Sequence, residues 1–266
     1  MGLLTPNLRG LNDGVFYNRN AFLCQENFKK NFLLTIWPIN SILLALATKA
    51  ERVRKLVSSW LFIYGSDMEN KKAFFDRHAF SWDKDLAYGS KADQVREVVE
   101  WFKLSKDDSV LDVGTGTGIL LPFIRDAIGL KGRLIAMDFS FKMLEKAKTR
   151  PSCGTRGIVN AGVQAIPFRS DLFDQVTCFS AFPHFPDKSR ALLEMVRVLR
   201  SGGMLSIAHL HSVEEINQFH QAVGGPVFRD FLPHPERIRN LMKDSGLDEV
   251  SITNQPGKFF AHGKKI

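Results

Sequence analysis

The chain has only three cysteines, Cys24, Cys153 and Cys178, and no CxxC pair among its 266 residues. That excludes a disulfide scaffold and a zinc ribbon and suits a reducing compartment, so a cytoplasmic protein is expected. A long apolar run is lacking too. Residues 31–47 come nearest, at the lower limit of about 17 residues for a spanning helix, but Pro38 and Asn40 interrupt them. The run also lies too far from the N-terminus for a signal peptide, although Ala45-Leu46-Ala47 could pass for a cleavage site. No charge block accounts for the net +8: residues 1–67 hold eight Lys and Arg against four Asp and Glu, and the rest hold 28 against 24. No stripe interleaves arginines with aromatics, so nucleic acid is not an expected partner. Repeats and low-complexity tracts are absent. With 44% apolar residues, the chain can bury one full core and a small appendage.

What is present is concentrated in Val110-Leu111-Asp112-Val113-Gly114-Thr115-Gly116-Thr117-Gly118-Ile119-Leu120. An apolar strand carrying an acid runs into a three-glycine turn and opens at once into an apolar helix. Glycines there let the backbone turn tightly and let a ligand reach main-chain N–H groups that a Cβ would block. A dinucleotide fingerprint needs glycine at the first, third and sixth places. Those places are Gly114, Gly116 and Ile119, so the third glycine is missing. A second strand, Arg133 to Asp138, ends in an acid 24 residues past Gly114, where a carboxylate can accept both hydroxyls of a ribose. The same acid would also suit a helix N-terminus. Asp112 has two readings, a ligand contact or a partner for the N–H groups of the glycine turn.

Periodicity predicts helices over 69–80, 91–103, 117–128, 140–149, 187–200, 213–222 and 235–245. Strands are predicted over 109–113, 133–138, 157–160, 174–180, 203–209, 248–253 and 258–264. Such alternation implies an α/β fold, a mostly parallel sheet covered on both faces.

The stretch from Asp112 to Gly118 resembles motif I of the class I S-adenosylmethionine (SAM) methyltransferases. Three later passages resemble theirs in the same order: Ile166-Pro167-Phe168, Phe173-Asp174-Gln175-Val176, and the helix, Gly202-Gly203 turn and strand between Ala191 and Leu205. The resemblance covers about residues 74–266. It implies a Rossmann-like three-layer sandwich of seven strands in the order 3-2-1-4-5-7-6, with strand 7 antiparallel. SAM would be the cofactor and S-adenosyl-L-homocysteine the product. Gly114, Thr115, Gly116 and Gly118 would meet the aminoacyl part, with Asp112 and Ser180 bordering the same site. Asp138 would grip the ribose, and Phe139 and Met143 would flank the adenine. One position departs from the family. An acid usually stands six residues before the phenylalanine of the Pro-Phe pair; here it is Gly162, so Val163 and Gln164 are expected to hold the adenine.

His184 lies just past strand 4, His209 and His211 at the end of strand 5, and His220 on the next helix. A base is needed only if the acceptor must lose a proton, and imidazole is the usual choice near neutral pH. His184, His211 and His220 are the candidate catalytic residues. No metal is expected, although four histidines at one edge could also form a site for Zn, Ni, Cu or Fe. Phe74 to Asp83 resembles the aromatic lid of the ubiquinone/menaquinone group, with Phe75, Phe80 and Trp82 either capping an apolar, planar acceptor or merely packing a helix onto the sheet. Residues 211–233 form a second lid, hinged at Gly224-Gly225.

The methyltransferase domain is expected over 68–266, because Met68 is the only methionine between Met1 and Met137 and the motifs begin after it. Residues 1–67 read as an upstream extension or a weak membrane anchor. The expectation is thus a SAM-dependent methyltransferase of a small-molecule acceptor, monomeric or homodimeric. Its rivals are a non-catalytic SAM-binding module, a metal-linked methyltransferase using the four histidines, and a quinone methyltransferase at the membrane if residues 1–67 are kept.

Overall fold

The computed structural model describes residues 15–16, 68–86, 88–150 and 154–266. The extension or anchor expected over 1–67 therefore lies outside the described residues, apart from Val15–Phe16. No helix among the described residues is long and apolar enough to cross a membrane.

Seven strands form the body of one sheet: β1 (Ser109–Val113), β2 (Arg133–Asp138), β3 (Gly157–Asn160), β4 (Phe173–Phe179), β5 (Leu199–His209), β6 (Leu247–Gln255) and β7 (Lys258–Lys265). Their order is β3-β2-β1-β4-β5-β7-β6, with β7 antiparallel to both neighbours, as expected. The two-residue strand Val15–Phe16 adds an eighth member, pairing in parallel with β3 at Ile158 and Val159.

Alternate residues along the central strands face opposite ways, and both faces are apolar. Val110, Leu134 and Ala136 join one core cluster, whereas Leu111, Val113 and Met137 join another. The first cluster is covered by α3 (Ala92–Trp101), α4 (Leu121–Ile128) and α5 (Phe141–Lys148). The second is covered by α6 (Lys188–Val198), α7 (Val213–Val223) and α8 (Pro235–Asp244). Ahead of them, helix α1 (68–78) and the short α2 (Trp82–Asp85) lie across one end of the sheet.

Local chemistry sets the boundaries. Ser140 caps α5, its hydroxyl accepting from the Met143 N–H at 3.2 Å, and Gly129 ends α4 at φ 71°. Two elements start four residues from where they are expected. Helix α4 starts at Leu121 rather than Thr117, because Gly118 at φ 76° keeps residues 117–120 in a turn. Strand β5 starts at Leu199 rather than Gly203, because Leu199 already pairs with Phe173 of β4.

Candidate active site

Parallel strand order reverses between β1 and β4, and the loops leaving the carboxyl ends of β1 to β4 surround a cleft that opens to solvent. Gly114 to Thr117 form one wall, Met137 to Phe139 the next, Ala161 to Gln164 the third, and Phe179 to Ala181 with His184 to Pro186 the fourth. Helices α1 and α2 supply Met68, Phe75 and Trp82 above it.

The glycine turn is built by close approach. A Cβ on Gly114 would stand 2.4 Å from the Ala181 Cβ, and its φ of 71° already disfavours a side chain. Its N–H and that of Thr115 donate to the Met137 carbonyl at 2.8 and 3.0 Å, fastening the turn to the end of β2. Gly116 differs: it too has positive φ, but nothing lies within 4 Å of its Cβ position, which borders the cleft.

Asp138 is buried, and its carboxylate bridges two loops. The Gly116 N–H donates to Oδ2 at 2.9 Å and the Ser140 N–H to Oδ1 at 2.8 Å. Burial pushes its pKa up to about 6, against the pull of those two N–H groups and with the Asp112 and Asp76 charges adding to the rise. A carboxylate has about four acceptor sites, so each oxygen keeps capacity for another donor.

Of the other expected cofactor residues, Thr115, Phe139, Met143, Val163, Gln164 and Ser180 all line the cleft. Ser180 sits at φ 51°, a strained conformation at the end of β4. Gly118 does not reach the cleft. Its Cβ would meet Leu121 and Ala147, so glycine there permits the contact with α5. Asp112 stays beneath the cleft, accepting from the Thr177 hydroxyl at 2.8 Å, and burial pushes its pKa up to about 6. The acid that takes a backbone N–H of the glycine turn is Asp138, not Asp112.

The histidines separate. His184 lines the cleft, its ring 5.0 Å from that of Phe75, and its Nδ1 lies 2.8 Å from Asp230 Oδ2. His220 is behind it: the rings are 4.8 Å apart, and His220 Nδ1 donates to the Asp230 carbonyl at 2.5 Å. His209 is fully enclosed, and burial drives its pKa down to about 3. His211 is exposed beside Glu215, away from the cleft, because β5 ends at His209 and Ser212 already caps α7. Among the described residues, no three His, Cys, Asp or Glu side chains gather in a way that could hold a metal ion.

Sequence reasoning missed Asp230, Lys71 and Tyr88. The buried Lys71 Nζ donates to Asp230 Oδ1 at 2.5 Å. Burial works to raise the Asp230 pKa, but its bonds to His184 and Lys71 outweigh it and hold the carboxyl below its usual value. Tyr88 borders the cleft with its phenol buried and its pKa raised to about 12. Phe80, expected over the acceptor, is 69% exposed; Phe75 and Trp82 face inward instead.

Residues 111–207 match the family model described as a methyltransferase domain. The ubiquinone/menaquinone biosynthesis C-methyltransferase UbiE of Proteus mirabilis is 26% identical over 202 residues, covering 66% of this chain and 80% of that protein. A SAM-dependent methyltransferase of Thermotoga maritima shares the fold at TM-score 0.59 and 18% identity, over 72% of this chain and 98% of that one. A chain from the complex of the Haloferax volcanii Trm112 methyltransferase activator with a methyltransferase does so at TM-score 0.59 and 21% identity, over 71% and 96%. The matched region runs from the first core strand to the fifth and so contains every loop that lines the cleft from the sheet side. In this it agrees with the motifs read in order along the sequence, and together these likenesses support a class I S-adenosylmethionine-dependent methyltransferase, UbiE-like.

Proposed function

We propose that the protein methylates a small, largely apolar ring compound bearing an ionisable X–H group, with His184 as the base. The observation that carries this is the composition of the cleft. Among the described residues, the titratable side chains that line it are Tyr88, Asp138 and His184. Tyr88 holds its proton to about pH 12, and Asp138 is committed to the N–H groups of two loops. His184 remains, between Phe75 and Phe185 on the acceptor side.

The cofactor fits the other side. The open Cβ position of Gly116 gives a ligand access to the turn, the two Asp138 oxygens suit a ribose diol, and Phe139, Met143 and Val163 offer apolar faces for adenine. Gln164 and the backbone near Val163 take the place of the acid that Gly162 lacks. When bound, SAM supplies an already activated methyl group and needs mainly a positioned acceptor. His184 Nε2 takes the acceptor's proton as the acceptor's electron pair forms the new bond to carbon, and the pair of the broken C–S bond stays on sulfur.

Asp112 and Gly118 support the cleft rather than touch a ligand, and His220 steadies the Asp230 loop. The Proteus relative is a C-methyltransferase of ubiquinone/menaquinone biosynthesis. A screen with labelled SAM therefore starts from phenolic and quinol rings, with aliphatic amines as the contrast. Methylation of the rings alone is expected, and His184→Gln should lower kcat at least about a hundredfold with SAM affinity unchanged. Turnover confined to the amines, or an unaffected His184→Gln, overturns the proposal.

A further inference from the structure

The base candidate does not stand alone. Asp230, 3% exposed, divides its carboxylate between two partners: Oδ1 takes the Lys71 ammonium and Oδ2 faces His184 Nδ1. These partners lie 159 and 46 residues away in sequence. An ionised carboxylate only accepts, so Nδ1 must carry the ring's proton, and Nε2 is left as the acceptor. The backbone of Asp230 is itself fixed, its carbonyl taking the His220 bond and its N–H donating to the Val227 carbonyl at 2.9 Å. Lys71 comes from α1, the helix that also lays Phe75 edge-on against the His184 ring.

The geometry points to Asp230 and Lys71 as positioning residues for His184: Asp230 holds the imidazole as its Nδ1–H tautomer, and Lys71, carried on the lid helix, moderates the carboxylate's pull on that ring. The inference rests on the reading of His184 as the base. A low-dielectric setting makes the arrangement consequential, because a carboxylate shared with a cation stabilises a neighbouring imidazolium less than an unshared one does. The other ionisable groups facing this ring are Lys188, at the start of α6, and His209 and His220. Burial keeps the pKa of His209 at about 3 and that of His220 at about 4, so neither is charged near neutral pH. Burial likewise lowers Lys188, to about 8, which confines its titration to the alkaline side.

The test needs no acceptor. Protein labelled with ¹⁵N-histidine is titrated by NMR, with the His184 signals assigned by their loss in His184→Gln. The wild-type ring should show the Nδ1–H tautomer. Lys71→Met should move its midpoint to higher pH and Asp230→Asn to lower pH, each by about half a unit or more. A merely structural pair gives no such opposed shifts. Should Asp230→Asn fail to fold, Lys71→Met decides alone, and the double variant, which removes both buried charges, supplies the neutral reference. A wild-type Nε2–H tautomer, or a Lys71→Met midpoint that stays or falls, overturns the inference. Full activity of His184→Gln would instead refute the role of base and leave the titration result standing.

Discussion

The sharpest quantitative consequence concerns Asp138. If its carboxylate takes both ribose hydroxyls, each is a hydrogen bond to a charged acceptor, worth about 1.5 kcal/mol, so the pair contributes about 3 kcal/mol or a hundredfold in affinity. In Asp138→Asn the amide keeps one acceptor oxygen, but its NH₂ must face either the Gly116 or the Ser140 N–H, donor against donor. SAM affinity should fall about a hundredfold. A second signature comes from protonation. Burial sets this acid near pH 6 in the free protein, and only the ionised form accepts both hydroxyls. Wild-type SAM affinity should therefore weaken as pH drops below about 6, approaching tenfold per unit. Asp112, raised to a similar value, is the confounding group, so Asp112→Asn should keep the slope while Asp138→Asn loses it. Calorimetric titration between about pH 5 and 7 measures both effects. Affinity unchanged within about threefold in Asp138→Asn, or a flat wild-type profile, refutes the reasoning.

Gly116→Ala should fold, paying about 1 kcal/mol for its left-handed backbone, yet lose SAM binding because its methyl enters the cleft. Gly114→Ala should cost clearly more stability, since its methyl collides with Ala181; denaturant melts of the two variants make the comparison, and equal losses would contradict it. His209 has a folded pKa of about 3 against an unfolded 6.5, so its contribution to stability is complete above pH 6.5 and declines below it by about 1.4 kcal/mol per unit. His209→Leu should accordingly lose less stability than wild type between pH 6.5 and 4.5, with His220 leaving a residual slope. Arg197 donates to the Ile166 and Phe168 carbonyls at 2.9 and 2.8 Å and pairs with Glu194. Its replacement by alanine should lower stability by about 2 kcal/mol through the lost bonds to both carbonyls and to Glu194, which keeps only Arg190 and the Ile166 N–H, read as a drop in Tm.

How much of this was legible depended on range. Strands β1, β2 and β3 lie where short apolar runs between glycines and acids put them, because burial on both faces leaves a continuous signal. Ser140 and Gly129 were readable as caps since a cap is decided within four residues. The end of α6 was not, because the pairing of Leu199 with Phe173 is a tertiary fact. The resemblance of Phe74 to Asp83 to an aromatic lid singled out this segment, but which rings face inward depends on where α1 stops; Phe80 falls in the turn beyond it and points outward. The histidines were grouped by nearness to strand ends, which says nothing about side-chain direction, so His211 was included and lies exposed. Asp230 and Lys71 gave no local sign. Their significance lies in a contact across 159 residues, and no periodicity encodes that.

The two halves of the cleft have different origins in the chain. The turn at Gly114 to Thr117, Asp138, Phe139 and the loop from Ala161 to Gln164 all lie within residues 111–207, the part matched by the methyltransferase family model. On the side proposed for the acceptor His184, Phe185 and Pro186 do, whereas Met68, Phe75, Trp82 and Tyr88 precede that segment and Asp230 follows it. The lid is fastened to both halves. Asp76 accepts from the Ser140 hydroxyl at 2.6 Å, Asp83 from the Thr117 hydroxyl at 2.5 Å and from Arg150, and Lys71 reaches Asp230. The first two are part-buried hydrogen bonds to a carboxylate, worth about 2 kcal/mol each, and on parting Asp76 and Asp83 can turn to water. The buried Lys71–Asp230 contact is the costly one to break, since parting it strands two charges in a dry interior. The side proposed for the cofactor is thus carried by the sheet and its loops, whereas the side proposed for the acceptor depends on a segment whose firmest attachment is to the carboxylate beside His184. Selectivity for the acceptor must therefore be sought in residues 68–88 and around Asp230, where likeness over 111–207 carries no information.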